Sequence, residues 1–181
     1  MPSPQERIYT IEDIYNLPEG ERAELIDGQI YYMAPPTPKH QEIVGELFAT
    51  IRNYIKRKGG SCKPFVSPFA VFLVKGNTKN YVEPDISVLC TPDKLTDKGC
   101  EGGPDWVIEV VSLSSRTMDY HTKLFKYRAA GVREYWIVDH LKNRITVWNF
   151  DNSTTEEYSF SDTVKTGIYE DFSIDFSQLD I

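Results

Sequence analysis

The sequence predicts an α/β (α+β) fold in which a mixed central sheet is flanked by helices. The pair Asp27-Gly28 between two apolar runs is typical of a two-residue hairpin turn. From Ile43 to Ile55 an isoleucine or leucine recurs every four residues, which predicts an amphipathic helix with one buried face. The run PDWVIEVVS at 104–112 is almost continuously apolar and is typical of a central strand covered on both faces.

The chain is predicted to begin with a short helix and a hairpin. Residues 10–17 form the helix, with Thr10 as a candidate N-cap and Pro18 directly after it. Strands near 22–26 and 29–34 then flank the hairpin turn. This predicts an N-terminal hairpin beside the main sheet.

A long helix follows and leads into a strand-rich middle section. Proline is favoured at the first helical position, so Thr37-Pro38 predicts the start of the helix, and Gly59-Gly60 predicts its end. The segments after it alternate between apolar and polar residues or are continuously apolar, at 62–66, 69–74 and, around Pro84-Asp85, at 81–90.

The C-terminal half completes the predicted sheet. A helix over 117–130 ends at Gly131, the buried strand VREYWIVD follows at 132–139, and the remaining segments predict an antiparallel C-terminal tail. No linker, repeat or low-complexity stretch interrupts the 181 residues. Residues 1–181 are therefore predicted to form a single domain.

The charge balance excludes a protein that coats nucleic acid or anionic membranes by bulk positive charge. The chain has 20 basic and 27 acidic residues, a net charge of −7. Residues 31–149 nevertheless hold 17 basic and 12 acidic residues, so the acidity is concentrated at the two ends. This pattern fits a central surface that meets a polyanion, and it fits an ordinary solvated surface equally well.

The sequence also predicts where the protein is located. No apolar run approaches the roughly 18 residues that a membrane helix needs, and MPSPQERIYT lacks the features of a signal peptide. The three cysteines, Cys62, Cys90 and Cys100, form no CxxC pair. We therefore expect free thiols in a cytoplasmic protein, without structural zinc or a disulfide, and no membrane partner.

Two carboxylates stand in apolar strand sequence, where an uncompensated charge is unfavourable. Asp85 follows Pro84 at the start of ISVL, and Glu109 shares a strand face with Val107 and Val111. Each has an ordinary explanation: a turn residue for Asp85, and an ion pair with an arginine or lysine for Glu109. Taken together on neighbouring strands, the pair favours a site for Mg²⁺ or Mn²⁺, which prefer oxygen ligands.

The order and spacing of several short motifs resemble the PD-(D/E)XK nuclease superfamily. Within that superfamily the chain is most similar to the Uma-two family of restriction-endonuclease-like proteins, over roughly residues 20–150. The motifs that carry the resemblance are ELIDG (24–28), Pro38 and His40, EPDISV (83–88), PDWVIEVVSLSS (104–115), the series Asp119, Lys123 and Tyr127, and GVREYWIVD (131–139). The resemblance implies a restriction-endonuclease-like fold, a divalent metal and a nucleic-acid substrate.

The sequence departs from the superfamily pattern at one position. The motif would place a lysine at 111, but Val111 stands there, and Lys123 on the following helix is the candidate replacement. Asp119, Lys123 and Tyr127 are spaced four apart and share one helix face. A surface ion pair for Asp119 and Lys123, and core packing for Tyr127, are the competing explanations. Lys126 is expected to face solvent.

Three further residues are auxiliary candidates. His40 near the start of the long helix either lines the site or is a capping or packing residue. Glu24 and Glu46 are candidates for a third acid, because the superfamily often takes one from its N-terminal part. Both are equally consistent with ordinary surface positions.

The resulting functional hypothesis is a Mg²⁺-dependent endonuclease that hydrolyses DNA. Asp85, Glu109 and the backbone carbonyl of Val110 would hold the ion, and Lys123 would orient the water or neutralise developing charge. Cutting both strands of a duplex would favour a homodimer. The alternatives are a catalytically silent nuclease-fold module that binds nucleic acid or protein, and an acidic protein that oligomerises through its aromatic-rich tail.

Overall fold

The computed structural model describes residues 7–75, 78–113 and 115–181. Along the chain the helices and strands are α1 (Ile11–Tyr15), β1 (Ala23–Ile26), β2 (Gln29–Tyr32), α2 (Pro38–Lys58), β3 (Lys63–Val66), β4 (Val71–Lys75), β5 (Thr78–Val82), β6 (Ile86–Leu89), β7 (Leu95–Thr96), β8 (Gly99–Glu101), β9 (Trp106–Val110), a π-helical segment (Met118–Lys123) that continues as α3 (Leu124–Ala129), β10 (Glu134–Asp139), β11 (Arg144–Asn149), β12 (Thr154–Tyr158), β13 (Thr163–Lys165) and β14 (Ser173–Asp175). None of the helices in these described ranges combines the length and apolarity of a membrane span.

The main sheet is mixed, as predicted. Its strand order is β12-β11-β10-β9-β6-β3, and β9 runs parallel to β10 while the other neighbours are antiparallel. Successive residues of β9 point to opposite faces. Trp106 and Ile108 join the core that packs against α2, while Val107 joins the core that contains Tyr127 of α3. The expectation that helices flank the central sheet is therefore confirmed, with α2 on one face and α3 on the other.

A second sheet carries the N-terminal hairpin. Its order is β2-β1-β5-β4-β8-β7, so β2 lies at one edge. The strand-like region at 81–90 is divided between the sheets, since β5 belongs to the second sheet and β6 to the main one. Pro84 lies at this division, where a residue without a backbone N–H interrupts strand pairing. Asp85 is consequently placed at the point where the chain passes from one sheet to the other.

Local signals located the turns and helix ends correctly. Asp27 (φ 51°) and Gly28 (φ 76°) both have the positive φ that a type I′ turn requires. The Thr37 hydroxyl caps α2 by accepting from the His40 N–H at 3.2 Å, and Gly59 (φ 73°) follows its last residue. The π-helical geometry of Met118–Lys123 was not predicted, because a helical sequence pattern does not distinguish a widened turn from a regular one.

The C-terminal tail is antiparallel, as predicted, and part of it is core. β11 and β12 extend the main sheet, and β13 pairs with β14 in a separate two-stranded sheet. Val164, Ile174 and Phe176 are buried in the same core as α2. The tail therefore covers part of the α2 face of the main sheet.

The prediction of three free thiols is wrong for two of them. Cys62 and Cys90 form a disulfide, whereas Cys100 is free and buried. Lys63 pairs with Leu89 at the end of the β3–β6 ladder, so the residues that extend this pair meet across it. The two cysteines are 28 residues apart, and their proximity comes from strand register rather than from any local spacing.

Candidate active site

An open cleft of about 670 Å³ lies where the N-terminal hairpin faces the β6 and β9 strands of the main sheet. Its walls come from the start of α2, the hairpin, the break between the sheets and the π-helical segment. Six of the eight side chains that the sequence nominated line this cleft. The lining residues among them are Glu24, His40, Asp85, Glu109, Asp119 and Lys123, together with Val110.

Asp85 and Glu109 lie side by side. Ile86 pairs with Ile108 in the antiparallel β6–β9 ladder, so the residue before Ile86 is level with the residue after Ile108. The Val110 N–H donates to Asp85 Oδ2 at 2.8 Å, and the Asp85 N–H donates to Glu109 Oε2 at 3.4 Å. The two carboxylates therefore open into one cleft and do not lie on opposite faces of the sheet.

Lys123 reaches this pair from the π-helical segment. Its Nζ lies 2.9 Å from Glu109 Oε1, 2.9 Å from Glu24 Oε1 and 3.7 Å from Asp119 Oδ1. The lysine side chain is only 5% exposed. Glu24 and Asp119 thus join Glu109 around a single ammonium group, although they come from the hairpin and the helix respectively.

Tyr127 and Lys126 of α3 contact different parts of the protein. The Tyr127 hydroxyl donates to Glu109 Oε1 at 2.6 Å, and its ring is buried in the core of the sheet. Tyr127 therefore combines the packing role and the site contact that the sequence left as alternatives. Lys126 points away from the carboxylate pair, but it does not simply face solvent: its ammonium pairs with Asp27 of the hairpin turn.

His40 occupies the first turn of α2, next to the carboxylate pair. Its Nε2 lies 3.2 Å from Asp85 Oδ2, and the nearby Val110 backbone also favours the protonated ring. Burial alone would lower the pKa of His40. The hydrogen bond to Asp85 and the charge of that carboxylate outweigh this effect and raise the pKa.

Negative charge outnumbers positive charge at the bottom of the cleft. Burial raises the pKa of Glu109 well above its usual value against the lowering effect of Lys123, and the neighbouring carboxylates raise it further. Burial likewise raises the pKa of Asp119 to about 6. For Lys123, burial would lower the pKa, but Glu109, Glu24 and Asp119 raise it well above the usual value. One cation is therefore shared among several acids.

The donor set fits a hard divalent ion. Asp85, Glu109 and the Val110 carbonyl offer only oxygen atoms, the ligands that Mg²⁺ and Mn²⁺ prefer. The excess of buried carboxylates would be offset by two further positive charges. In the described ranges, however, no three histidine, cysteine, aspartate or glutamate side chains already stand as a metal-binding group. The candidate ligands therefore remain the two carboxylates and the backbone carbonyl that the sequence nominated.

Glu46, which the sequence nominated, does not lie at the site. The Arg22–Glu83 pair, which the sequence did not predict, does. Glu46 is half-buried on α2 and does not line the cleft. Glu83 does line it: its side chain accepts from Arg22 Nε at 2.9 Å and from the Tyr81 hydroxyl at 2.6 Å, and its N–H donates to Glu24 Oε1 at 3.0 Å. The sequence signal was present, because Glu83 directly precedes Pro84, but its partner Arg22 is distant in the chain.

Comparison with known proteins places the chain in a nuclease-like family. A crystal structure titled as that of a putative nuclease belonging to DUF820, from Anabaena variabilis, superposes with a TM-score of 0.75 and covers 94% of this chain and 96% of its own. At 20% identity this likeness shows the shared fold. The sequence model of the family described as "Uma2: Putative restriction endonuclease" matches residues 11–177, and the chain belongs to that family.

A curated relative is also similar over part of its length. The uncharacterized protein slr1290 of Synechocystis sp. is 34% identical over 109 residues, which is 60% of this chain. The match spans about 55% of the length of that relative.

Proposed function

We propose that the protein is a metal-dependent endonuclease that hydrolyses phosphodiester bonds of DNA in this cleft. The observation that carries the proposal is the carboxylate pair Asp85 and Glu109, held in one cleft with Lys123 2.9 Å from Glu109. Membership of a restriction-endonuclease-like family supports the reaction class. A cation such as Lys123 is also the kind of group expected where negative charge develops on a phosphate.

Asp85, Glu109 and the Val110 carbonyl would hold Mg²⁺ or Mn²⁺. When bound, such an ion supplies a hydroxide-like nucleophile at neutral pH and offsets charge on the phosphate oxygens. The excess of carboxylates over cations supports this assignment. It explains why several acids remain buried in a part of the fold that is otherwise apolar.

The protein's own groups would orient the two acids. Lys123 and the Tyr127 hydroxyl both contact Glu109 Oε1, which leaves Oε2 on the side of Asp85. On the other side, His40 Nε2 and the Val110 N–H both contact Asp85 Oδ2 and would hold this carboxylate in place. In this proposal Lys123 also supplies the positive charge that a strand lysine at position 111 would otherwise provide.

A second candidate function is a nuclease-fold module that binds nucleic acid without cutting it. Val111 replaces the motif lysine, and Lys123 is already engaged by Glu24 and Asp119 as well as Glu109. A lysine held by three acids is less free to stabilise a phosphate than one held by a single acid. This observation favours the module, whereas the intact Asp85–Glu109 pair favours the enzyme.

Incubation of the purified protein with supercoiled plasmid DNA and Mg²⁺ or Mn²⁺ tests the proposal. We expect nicked or linear plasmid from the wild type and none from Asp85→Ala. Cleavage that persists in EDTA, or equal cleavage by Asp85→Ala, would contradict it. If linear product forms directly, sedimentation of the active sample should show a homodimer, because one site cuts one strand at a time.

A further inference from the structure

The mouth of the cleft is unusually apolar for a protein surface. Ten large apolar or aromatic side chains are exposed in the described part of the chain, and half of them line this one cleft. The five are Tyr31, Tyr32, Val66, Leu113 and Leu141, with exposed fractions of 41%, 66%, 40%, 82% and 48%. Scattered apolar residues are normal on a surface, but a group of them around one cleft marks a binding surface.

Tyr31 stands beside the carboxylate site. It pairs with Glu24 across the β1–β2 hairpin, and directly paired residues project from the same face of a sheet. Glu24 is the residue that contacts Lys123. Neither Tyr31 nor Tyr32 has a hydrogen-bond or ring partner among the described residues, so both rings are available to a ligand.

The charges of the cleft do not suit a DNA duplex. The fixed cations that line it are Arg22 and Lys123, and each already contacts a carboxylate. Five acids, Glu24, Glu83, Asp85, Glu109 and Asp119, line the same space. Duplex binding depends on lysine and arginine contacts to many phosphates, whereas single-strand binding adds stacking of the exposed bases on aromatic rings.

We infer that the cleft takes a single-stranded stretch of nucleic acid, one base of which stacks on Tyr31 while a phosphate reaches Asp85 and Glu109. This inference rests on the proposed function for the identity of the ligand, and it narrows the substrate from DNA in general to unpaired strands. Stacking does not depend on base identity, so the inference implies little sequence preference at this position.

Fluorescence anisotropy with labelled oligonucleotides tests the inference. The probes are a 12-nucleotide single-stranded DNA, the corresponding duplex and the single-stranded RNA of the same sequence, in Ca²⁺ buffer with probe integrity checked on a gel. Wild type should bind the single strands at least about tenfold more tightly than the duplex. Tyr31→Ala should raise the Kd for single strands about 5- to 100-fold, and Tyr31→Phe should stay within about twofold of wild type.

The matched control is Tyr15→Ala, which removes a 55% exposed tyrosine of α1 that is not part of the cleft. It should bind like the wild type. Duplex binding as tight as single-strand binding, no single-strand binding, or equal effects of Tyr31→Ala and Tyr15→Ala would each overturn the inference. A dimer that Tyr31→Ala dissociates would also overturn it, by assigning these tyrosines to a subunit interface.

The two proposals fail in different assays. Tyr31-dependent binding of single strands without any metal-dependent cleavage would support this inference and contradict the endonuclease. Metal-dependent plasmid cleavage together with tighter duplex binding would support the endonuclease and contradict this inference. The relative affinity for DNA and RNA then decides which single strand is the better ligand, since both offer the same stacking surface.

Discussion

Two buried glutamates on neighbouring parallel strands have opposite surroundings. Glu134 at the start of β10 accepts from the Trp136 indole at 2.5 Å and from the Gly167 and Ile168 N–H groups at 2.6 Å and 2.9 Å. Glu109 near the end of β9 accepts from charged Lys123, and other carboxylates crowd it. The first acid joins the C-terminal tail to the sheet; the second faces the cleft.

The difference shows that burial alone does not identify a functional acid. Burial raises the pKa of both carboxyls. For Glu134, three neutral donors oppose that rise, whereas for Glu109 the neighbouring acids reinforce it. A buried carboxylate with its own fixed donors is a structural element. One that must share a cation with other acids leaves negative charge available for a ligand.

Removing the shared cation should produce the largest effect. Lys123→Met leaves Glu24, Glu109 and Asp119 without their buried partner, and we expect it to lower the free energy of unfolding by about 3–5 kcal/mol. Urea denaturation followed by circular dichroism measures the change.

The matched control for Lys123→Met is Lys126→Met on the same helix. Lys126 is partly exposed and pairs with one surface acid, so its loss should change the free energy of unfolding by less than about 1 kcal/mol. The double variant Glu109→Gln/Lys123→Met should lose less free energy of unfolding than Lys123→Met alone. Equal losses for the two lysine variants would show that the acid cluster does not depend on Lys123.

Exchanging each glutamate for glutamine should separate activity from stability. Glu109→Gln is expected to reduce metal-dependent cleavage by about 10²–10³-fold. Glu134→Gln should keep cleavage but lower the free energy of unfolding by about 1–3 kcal/mol, because both Glu134 oxygens accept and glutamine keeps only one acceptor oxygen for the indole and the two backbone donors. Initial rates on plasmid and denaturation curves at one temperature provide both numbers. Normal cleavage by Glu109→Gln would contradict the assignment of Glu109 to the site and of Glu134 to a structural role.

Mg²⁺ should stabilise the wild type through the acid pair. At a concentration 100-fold above its Kd, a ligand adds about 2.7 kcal/mol to the free energy of unfolding, which corresponds to roughly 5–10 °C in Tm for a chain of this size. Asp85→Asn should lose most of this shift, and Glu134→Gln should keep it. Differential scanning calorimetry with and without Mg²⁺ measures the change in Tm. Identical changes in wild type, Asp85→Asn and Glu134→Gln would show that the ion binds elsewhere.

The smallest expected effect is a pH dependence from Asp119. Its pKa is about 6 in the folded chain and about 3.9 in an unfolded one. The folded state therefore binds the proton more tightly, and the stability from this group is complete below about pH 4 and is lost as the pH rises through 6. Relative to wild type, Asp119→Asn should gain about 1–2 kcal/mol between pH 4 and pH 7. If the free energy of unfolding changed with pH in the same way for wild type and Asp119→Asn, the raised pKa of Asp119 would be contradicted.

Much of the fold could be predicted because its signals are local. The type I′ turn at Asp27-Gly28, the Thr37 cap and the alternating faces of β9 each depend on a few adjacent residues. The disulfide and the Arg22–Glu83 pair depend on strand register between distant segments. No spacing rule along the chain reports such a register.

The candidate site was also predictable where the signal was local. Asp85 and Glu109 were conspicuous as charges in apolar strands, and the family resemblance added Lys123. Glu134 was not nominated, although it is fully buried and lies inside the strand predicted at 132–139. Glu46 was nominated by its type alone, and its place on α2 keeps it out of the cleft.

The cleft draws its acids from both sheets, with Glu24 and Glu83 in or beside the second sheet and Asp85 and Glu109 in or beside the main one. These groups meet only when the two sheets dock, so the site is an entirely long-range structure and should be among the last parts to form during refolding. A slight separation of the sheets would break the Lys123–Glu24 contact while leaving each strand ladder intact. Catalytic competence should therefore vanish early in partial unfolding, at denaturant concentrations where far-ultraviolet circular dichroism still resembles that of the native protein.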